Sequence, residues 1–470
     1  MAPFFTNMSC DPFTPRSAQC IIGTYVQYAV NASSATEYQN ALSFATSRNI
    51  RLAIRNTGHD FLGKSTGAGA LAIWTHNIKE ISVTDYRSAA YSGKAMKIGA
   101  GNQFFEVYPA ANAAGVVVVG GTCPSVGMAG GYTQGAGHGL LVSKYGFSAD
   151  QTLAWEVVLV NGTLVTATPS QNSDLYWALS GGGGGSYGVV LSLTVKAYPD
   201  QPTAGANLTF AASQNVSRDL FYQGVERFLA QLPAILDSGA SSIWSITNAS
   251  FTLAPTAAIG QTKEQIDALH QPVVDALTQL KIPHTYFSAN YPTYLEMLNA
   301  MDTGYETAMY SIGSRLIPRD VIVGQTRNLT QAINKIESYH TQILGSSFNG
   351  THTPTSPNSL NAGYRDATMS LSIGTLYDDN NRTANVESNN LMTNTLVPAL
   401  SSLIPGGGNA YVNEGDPFEP KFQKVFWGEN YDRLLRIKNA YDPNSFLWAQ
   451  AAVGSEAWTL QSDGRLCRSH

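Results

Sequence analysis

The sequence predicts an α+β fold with two domains, and three observations support this prediction. The chain has 470 residues, of which 43% are apolar, so it is long enough to form two or three hydrophobic cores. Short helical and strand patterns alternate from Tyr25 to about Pro199. Residues 201–404 differ in character, because their longer helices alternate with strands as in an antiparallel sheet covered by helices on one face.

The first part of the chain opens with an amphipathic helix. Apolar residues recur on one face of Ala35–Ser47, which predicts a helix at this position. Runs of residues that favour strands follow, and a helical turn precedes five consecutive glycines at Gly181–Gly185. The strands are predicted at residues 51–55, 70–74, 95–98, 116–119, 152–160 and 189–197, and the helical turn at residues 174–179.

The second part contains longer helices, and a break rich in proline and glycine at Pro405–Gly408 ends it. Helices are predicted at residues 216–231, 262–280, 291–299 and 319–344, and strands at residues 241–252 and 368–375. Beyond the break, residues 427–442 predict one helix, with Lys438 in its last turns and Pro443 just after its end. We therefore expect domains at residues 1–200 and 201–404, followed by a C-terminal segment at residues 405–470.

The composition excludes two classes of partner. The chain has 28 Lys and Arg residues against 33 Asp and Glu, and only 13% of its residues are charged. Because this mild acidity is evenly spread, no basic stripe is available for a nucleic acid. The strongest apolar cluster, Val116–Val119, is far too short to span a bilayer. We therefore expect a soluble monomer that binds a small molecule and neither a nucleic acid nor a membrane.

Cysteines and glycosylation motifs favour an extracellular protein. Cys10 and Cys20 flank a short stretch that contains proline, and a disulfide between them would contribute about 2–3 kcal/mol. Cys123 is left without a partner, and Cys467 is either a free thiol or a partner for one of the N-terminal pair. No signal peptide is visible, so we interpret the sequence as a mature or trimmed chain. Asn-x-Ser/Thr motifs, which predict a secreted glycoprotein, occur at Asn7, Asn31, Asn161, Asn207, Asn215, Asn248, Asn328, Asn349 and Asn381.

Two glycine-rich segments are candidate loops for an anionic cofactor. The first, Gly58–Thr66, follows a predicted strand, and the second spans Gly127–Gly139. Glycine allows backbone conformations that point successive N–H groups towards a phosphate, although ordinary tight turns would look the same. Neither segment matches the Gly-x-Gly-x-x-Gly pattern with an acidic residue about 20 positions later, so a Rossmann site is disfavoured. The residues alone therefore indicate a phosphorylated cofactor.

Several motifs at the two ends of the chain resemble those of the vanillyl-alcohol-oxidase superfamily, and within it the berberine-bridge-enzyme-like oxidases. The resemblance covers roughly residues 20–200 and 409–455, whereas residues 201–404 are similar only in the order of their elements. It implies a two-domain fold of the p-cresol-methylhydroxylase type, in which both chain ends build the FAD domain and residues 201–404 cover the isoalloxazine. The motifs are Arg55–Asp60, Gly121–Gly127, Lys144–Asp150, Ser180–Val190, Asn430–Leu434 and Tyr441–Pro443.

The resemblance implies an FAD that is attached covalently twice, through His59 to the 8α-methyl group and through Cys123 to C6. Imidazole and thiolate are both nucleophiles near neutral pH when they are activated. The alternatives are a histidine in a turn and a small buried cysteine. Covalent attachment is expected to raise the flavin potential, and no metal site is predicted. The other residues expected to bind FAD are Arg55, Asn56, Thr57, Gly58, Gly63, Ser65, Val126, Gly127, Gly130, Gly137, Gly188, Val190, Asn430 and Tyr431.

A base must take the alcohol proton while hydride leaves the substrate. Many relatives use a tyrosine in a Tyr-x-Asn-Tyr segment, but this chain has Glu414 at the second tyrosine position, and His138 replaces a tyrosine of a glycine-rich segment. Glu414, His138 and Tyr411 are therefore the candidate catalytic residues, and the base would be a glutamate with a raised pKa or a neutral histidine. Alternatively, Glu414 lies in a solvated turn. Arg315 would contact a polar substrate or form a structural salt bridge.

The predicted function is that of a secreted FAD-dependent oxidase. Val126 occupies the position that gates oxygen access in the family, and its small side chain favours O2 as the electron acceptor and H2O2 as the product. The substrate would be an alcohol, a carbohydrate or a related molecule with a C–OH group. Three alternatives remain open: a secondary-metabolite oxidase or oxidative cyclase, a dehydrogenase with poor O2 reactivity, and a flavin-bearing carbohydrate-binding protein without turnover.

Overall fold

The computed structural model describes residues 4–301, 310–351, 357–461 and 464–469. Its N-terminal part consists of short strands and helices. They are β1 (Tyr28–Asn31), α1 (Ala35–Ser47), β2 (Leu52–Arg55), β3 (Leu71–Trp74), β4 (Ile81–Arg87), β5 (Ser92–Gly99), α2 (Phe104–Ala113), β6 (Val116–Val117), α3 (Thr133–Gly135), α4 (Val142–Tyr145), β7 (Thr152–Val158), β8 (Leu164–Ala167), α5 (Ser173–Leu179), β9 (Val189–Lys196) and β10 (Tyr198–Pro199).

Two sheets form this part of the molecule. A parallel sheet has the order β1-β3-β2, and an antiparallel sheet has the order β4-β5-β9-β7-β8. Helix α1 buries Tyr38 and Leu42 in an apolar cluster that also contains Leu52 of β2 and Val189 of β9. The helix therefore joins the two sheets, and the loops that leave β2 and β6 carry His59 and Cys123.

Residues 203–401 form a larger antiparallel sheet with helices. The elements are β11 (Thr203–Ala211), α6 (Arg218–Asp237), β12 (Ser241–Thr247), β13 (Ser250–Ile259), α7 (Lys263–Gln279), β14 (His284–Tyr291), α8 (Tyr294–Met301), β15 (Tyr310–Pro318), α9 (Arg319–Glu337), β16 (Gln342–Ser347), α10 (Gly363–Asp366), β17 (Ala367–Leu376), α11 (Arg382–Leu391) and α12 (Val397–Ser401). The strand order is β14-β11-β13-β12-β16-β17-β15. The C-terminal segment adds α13 (Tyr431–Tyr441), β18 (Trp458–Leu460) and β19 (Leu466–Arg468).

The two faces of the seven-stranded sheet pack differently. Trp244 and Leu371 of the strands share an apolar cluster with Phe228 and Ile333 of the helices. Leu316 of β15 points to the other face and belongs to a second cluster that is centred on the N-terminal part of the chain. Side chains alternate between faces along a strand, so one face of this sheet carries the helices and the other covers the N-terminal domain.

The predicted strand at residues 241–252 is wrong, because the chain turns back within it. Strands β12 and β13 pair as a hairpin in which Thr247 lies opposite Ser250. The two turn residues, Asn248 and Ala249, both have a φ of 52°, as in a type I′ turn. Alanine rarely adopts this conformation, so the sequence carries only a weak turn signal.

Two other predicted elements are shorter than expected. The helix predicted at residues 319–344 ends at Glu337, because residues 342–347 form β16 between β12 and β17. The strand predicted at residues 116–119 is reduced to Val116–Val117, which pairs with the two residues of β10. In both cases the long-range strand pairing decides the structure.

The two ends of the chain pack against each other. Trp427 and Leu434 of the C-terminal segment lie in the same apolar cluster as Trp155 and Leu179. Lys438 Nζ on α13 is fully buried and donates to the Asp442 carboxylate at 2.6 Å. It also donates to the carbonyl oxygens of Ser186 and Leu447, each at 2.7 Å. Helix α13 is therefore joined to the glycine-rich segment that precedes β9.

An N-terminal arm, residues 4–24, contacts both domains. The predicted disulfide between Cys10 and Cys20 is present, with Cα atoms 4.9 Å apart. Phe4 stacks on Tyr377 with ring centroids 5.8 Å apart. Gly63 has a φ of +73°, and a Cβ at this position would lie 2.6 Å from the Phe5 ring. The arm thus spans from the loop that carries His59 to the end of β17.

Candidate active site and cofactor site

His59 and Cys123, which are far apart in the sequence, meet at Ser125. His59 Nε2 lies 2.8 Å from Ser125 Oγ, and Cys123 Sγ lies 3.8 Å from the same oxygen. Because the two contacts share one atom, the imidazole and the thiol lie side by side. Partial desolvation lowers the pKa of His59 below its ordinary value of 6.5, and the nearby Asp60 opposes this change. The imidazole is therefore neutral at pH 7, the form that acts as a nucleophile.

The loop around His59 presents a row of unpaired backbone N–H groups. From Thr57 to Gly63, none of these groups donates to an acceptor in the part of the chain that the structure describes. Gly58 and Gly63 have φ values of +81° and +73°, a left-handed conformation that glycine adopts without strain and that is common in anion-binding loops. The Asp60 carboxylate accepts the N–H groups of Lys64 and Ser65 and so closes the loop. A row of this kind is the donor set that a diphosphate requires.

A second set of unpaired N–H groups lies at Gly121, Thr122, Cys123 and Ser125, which likewise find no acceptor among the described residues. Together with the first row, these donors and the two nucleophiles fit an FAD. We call Thr57–Gly63 and Gly121–Ser125 the candidate FAD site. Gly127 borders it, and a Cβ there would lie 2.0 Å from the Asn56 amide nitrogen, so only glycine fits this position.

The remaining predicted cofactor residues divide into two groups. Gly130 has open space beside it, and Val126 is half-buried. Others have partners within the protein, which favours a structural role. Asn430 donates to the carbonyl oxygens of Ser359 and Leu360, and the Tyr431 hydroxyl donates to the Glu456 carboxylate. The other predicted FAD-binding residues with partners inside the protein are Arg55, which lies against Gly58, Ser65, which is hydrogen-bonded to Asp60, Gly137, which lies against Tyr132, Gly188, which lies against Val157, and Val190, which is buried.

His138 and Glu414, the two residues that replace tyrosines, form a hydrogen-bonded pair. His138 Nε2 lies 2.8 Å from Glu414 Oε1. The other carboxylate oxygen accepts the hydroxyls of Ser370 and Ser372 at 2.8 and 2.9 Å. The Glu414 side chain is only 15% exposed, so the alternative of a solvated surface turn is excluded. The Tyr411 ring lies edge-on to His138, with centroids 5.1 Å apart.

Glu414 is an anion at neutral pH, which corrects the expectation that burial raises its pKa. Burial alone does raise it, but the charge of His138 and the hydrogen bonds from His138, Ser370 and Ser372 together outweigh this effect. The pKa of Glu414 therefore lies below its ordinary value of 4.5. Since both oxygens accept hydrogen bonds, the carboxylate is a weak base and an effective partner for a positive charge.

In the neutral form of His138, which is the form that acts as a base, the proton lies on Nε2, because this atom faces an anion that can only accept. The lone pair is then on Nδ1, which has no hydrogen-bond partner in the described ranges. Tyr132 donates its hydroxyl to the His138 carbonyl oxygen at 2.8 Å and so holds the backbone of this loop. His138 thus has one nitrogen that is oriented by Glu414 and one that is available to accept a proton.

Tyr411 is a protonated phenol. Burial raises its pKa well above the ordinary value, and Glu414 adds to this effect. Its hydroxyl accepts the Asn413 amide at 2.7 Å and lies 3.3 Å from the Tyr132 carbonyl oxygen, to which it donates. These contacts orient the Tyr411 ring against His138. Because the phenol stays protonated, another group must act as the catalytic base.

Arg315 forms the structural salt bridge that was one of its two predicted roles. Its guanidinium lies 2.7 Å from the Glu419 carboxylate, and both side chains are buried. It also donates to Ser401, on the helical side of the sheet. Cys467 is an exposed free thiol, so it does not pair with the N-terminal cysteines.

Three serines in contact with the site, Ser125, Ser370 and Ser372, were not predicted as site residues. The two serines of β17 alternate with Met369, Leu371 and Ile373, which are buried in the cluster on the helical side. This period of two places both hydroxyls on the face towards the N-terminal domain, and it is readable from the sequence. Ser125 lies inside a recognised motif, but nothing in its spacing indicated a contact with His59.

No helix in the described ranges is long and apolar enough to cross a membrane. Among the same residues, no group of three or more His, Cys, Asp and Glu side chains is arranged to hold a metal ion.

Two family models match the chain. One, described as an FAD binding domain, matches residues 26–168, and the other, described as berberine and berberine like, matches residues 410–454. Over its whole length the chain is 46% identical to the FAD-linked oxidoreductase sor8 of Hypocrea jecorina, of which it covers 81%. It is 39% identical to a VAO-type flavoprotein oxidase of Thermothelomyces thermophilus, with 99% of this chain and 82% of that protein aligned.

Solved structures agree with these matches. A VAO-type flavoprotein from Myceliophthora thermophila superimposes with a TM-score of 0.94 at 37% identity, over 100% of this chain and 87% of that one. A glucooligosaccharide oxidase from Acremonium strictum, whose FAD is described as 6-S-cysteinyl and 8α-N1-histidyl, gives a TM-score of 0.75 at 17% identity, over 92% of each chain. The second likeness concerns the fold alone. The expected fold of the p-cresol-methylhydroxylase type is confirmed.

Proposed function

Because the chain belongs to the berberine-bridge-enzyme-like group of VAO-type FAD-linked oxidoreductases, we propose that it oxidises a C–OH group of a small organic molecule and passes the electrons to O2. The observation that carries this proposal is the pairing of His138 with Glu414. An imidazole with a free Nδ1 and a buried carboxylate on Nε2 is the arrangement of a general base with its orienting partner.

His138 accepts the hydroxyl proton of the substrate at Nδ1. The imidazolium that forms is stabilised by the Glu414 carboxylate at 2.8 Å, which Ser370 and Ser372 hold in place. Tyr411 packs against the imidazole ring and limits its rotation. FAD, when bound, would supply the hydride acceptor, and transfer of its electrons to O2 would give H2O2.

We assign the binding of the FAD diphosphate to the free N–H groups of Thr57–Gly63. His59 and Cys123 are the proposed covalent links, since each is a nucleophile and both contact the same hydroxyl. Val126, whose N–H bonds the Cys123 carbonyl at 3.3 Å, follows directly on this turn. Its small side chain supports access of O2 to the flavin.

Among the substrates expected from the sequence, a small alcohol of secondary metabolism is favoured over a carbohydrate. The proteins with the higher identities are fungal FAD-linked oxidoreductases, and one relative at 37% identity is described as a bifunctional decalin synthase. The matched carbohydrate oxidases share only 17% identity. The neighbours of His138 are aromatic: Phe348 stacks at 6.0 Å and Tyr411 lies edge-on. An apolar surface of this kind suits a hydrophobic alcohol better than a polar sugar.

The protein should remain yellow after acid denaturation, because two covalent bonds would hold the flavin. The single variants His59→Ala and Cys123→Ala should each retain flavin through the other bond, and the double variant should release it. Absorbance of the washed precipitate at the flavin maximum measures retention. A colourless wild-type precipitate would remove the covalent attachment from the proposal.

The oxidase activity is tested separately with a panel of hydrophobic alcohols and sugars. Anaerobic bleaching of the flavin identifies substrates, and H2O2 release in air identifies the acceptor. Bleaching by alcohols with release of peroxide supports the proposal. Bleaching by sugars alone would favour a carbohydrate oxidase, and bleaching without peroxide would indicate a dehydrogenase.

We further propose that the protein is a secreted glycoprotein. Seven of the nine motif asparagines, all except Asn207 and Asn349, are exposed, and the Cys10–Cys20 disulfide suits an oxidising compartment. Protein secreted from its native host should lose mass on endoglycosidase treatment, whereas an unchanged mass would contradict glycosylation. Size-exclusion chromatography of the same sample tests the expected monomer.

A further inference from the structure

Ser125 is held in a rigid position between the two candidate attachment residues. The Val126 N–H bonds the Cys123 carbonyl oxygen at 3.3 Å, which forms a turn with Pro124 and Ser125 at its centre. The Ser125 carbonyl oxygen accepts the Gln103 side-chain amide at 2.7 Å. Because helix α2 begins at the residue after Gln103, the turn is anchored to a regular element.

The Ser125 hydroxyl contacts one nitrogen of His59 and leaves the other free. Nε2 is 2.8 Å from Oγ, whereas Nδ1 makes no hydrogen bond within the described residues. Cys123 Sγ lies on the same oxygen at 3.8 Å. A hydroxyl can accept one hydrogen bond and donate another. The Ser125 hydroxyl can therefore accept a hydrogen bond from the Nε2–H group of His59 while it donates one to the Cys123 sulfur. The lone pair of His59 is then on Nδ1.

We propose that Ser125 is a positioning residue for covalent flavin attachment. Its hydroxyl holds Nε2 of His59, so that Nδ1 is the bonding nitrogen, and it receives the proton that Nε2 loses. This inference rests on the covalent attachment proposed above. It extends that proposal by assigning the contact that orients the imidazole and relates it to the thiol.

The overall reaction balances with O2 as the oxidant. One C–H bond of the 8α-methyl group and the N–H bond of His59 break, and one C–N bond forms between them. The two electrons and two protons that are released pass to O2 and yield H2O2. Ser125 is not consumed, because the proton that it takes from Nε2 replaces the one that it passes on towards sulfur or solvent.

The test compares Ser125→Ala, Ser125→Thr and the wild type, all purified as expressed with their flavin. A control variant, Ser82→Ala, removes a hydroxyl from β4 that makes no side-chain hydrogen bond in the described structure. Peptide mapping by mass spectrometry measures the fraction of His59 and Cys123 peptides that carry flavin. NMR of the isolated histidyl-flavin peptide identifies the bonded nitrogen.

In Ser125→Ala we expect the flavin-linked fraction of the His59 peptide to fall about ten-fold in samples taken early in expression, as expected for loss of one hydrogen bond to a reacting group. Ser125→Thr should restore most of this fraction, since it keeps the hydroxyl, and Ser82→Ala should match the wild type. Equal His59 linkage in Ser125→Ala at an unchanged melting temperature, or a bond to Nε2 in the wild type, would overturn the proposal. A wild type without any linked peptide would overturn the covalent attachment as well, whereas peroxide release tests the oxidase function independently.

Discussion

Replacing His138 with glutamine is expected to lower the rate of flavin reduction by about 10²–10⁴-fold, the usual contribution of a general base. The amide keeps the approximate size of the imidazole and can still donate to Glu414, but it is too weak a base to take the substrate proton. The measurement is the rate of anaerobic flavin bleaching by a substrate from the alcohol panel. Tyr411→Phe serves as the matched control and should cost much less, because its hydroxyl only orients the ring.

Glu414→Gln separates the base from its partner. Without the carboxylate, the imidazolium that forms on proton transfer is less stable, so Glu414→Gln should lower the maximal rate of flavin reduction, but by less than His138→Gln does. If Glu414→Gln instead cost more than His138→Gln, the roles of the two residues would be reversed.

The lowered pKa of Glu414 also has a consequence for stability. Its hydrogen bonds favour the ionised form in the folded state, so the group binds fewer protons there than in the unfolded chain. The contribution of Glu414 to the free energy of unfolding is therefore fully present above the ordinary pKa of 4.5. It is lost as the pH falls through the lower pKa that Glu414 has in the folded state. Glu414→Gln should flatten the acid side of the stability profile in this range.

Lys438→Met is expected to lower the free energy of unfolding by about 3–5 kcal/mol, the usual cost of removing one partner of a buried ion pair. The Asp442 carboxylate would remain fully buried without its counter-charge, and the carbonyl oxygens of Ser186 and Leu447 would lose their donor. Denaturant unfolding followed by tryptophan fluorescence measures the change. The exposed Lys424→Met is the control and should have little effect.

The double variant Lys438→Met with Asp442→Asn tests the cause of this loss. Removing both charges should recover part of the stability, since no unpaired ion is then buried. A background that lacks His59 and Cys123 would hold the flavin without covalent bonds. If Lys438→Met released flavin faster in this background than the background does alone, α13 would be shown to support the glycine-rich segment near Ser186. A wild-type unfolding midpoint for Lys438→Met would mean that the chain ends are held together by the apolar cluster alone.

Helices and strands could be predicted where a period is strong and the ends carry clear signals. Helix α1 has the predicted bounds, and α13 ends before Pro443. The hairpin turn at Asn248–Ala249 could not be predicted, because alanine rarely has a positive φ. Strand β16 was assigned to the preceding helix because its apolar residues fit both periods, and only pairing with β12 and β17 distinguishes them.

The site was predictable in its parts and not in its arrangement. Each of His59, Cys123, His138 and Glu414 was identified from a motif or from a departure from a motif. The contacts that define their chemistry come from residues that no motif includes, such as Ser370 and Ser372.

The sequence by itself determined the fold class, the family and the set of nucleophiles and acids that the protein can use, because these depend on residue identity and local spacing. The tertiary structure alone decided that Glu414 is an anion, that His138 has a free Nδ1 and that Arg315 is structural. The reason is physical: a pKa and a hydrogen-bond direction depend on groups within a few ångströms, and here those groups come from strands and loops that lie 42 to 276 residues away in the sequence.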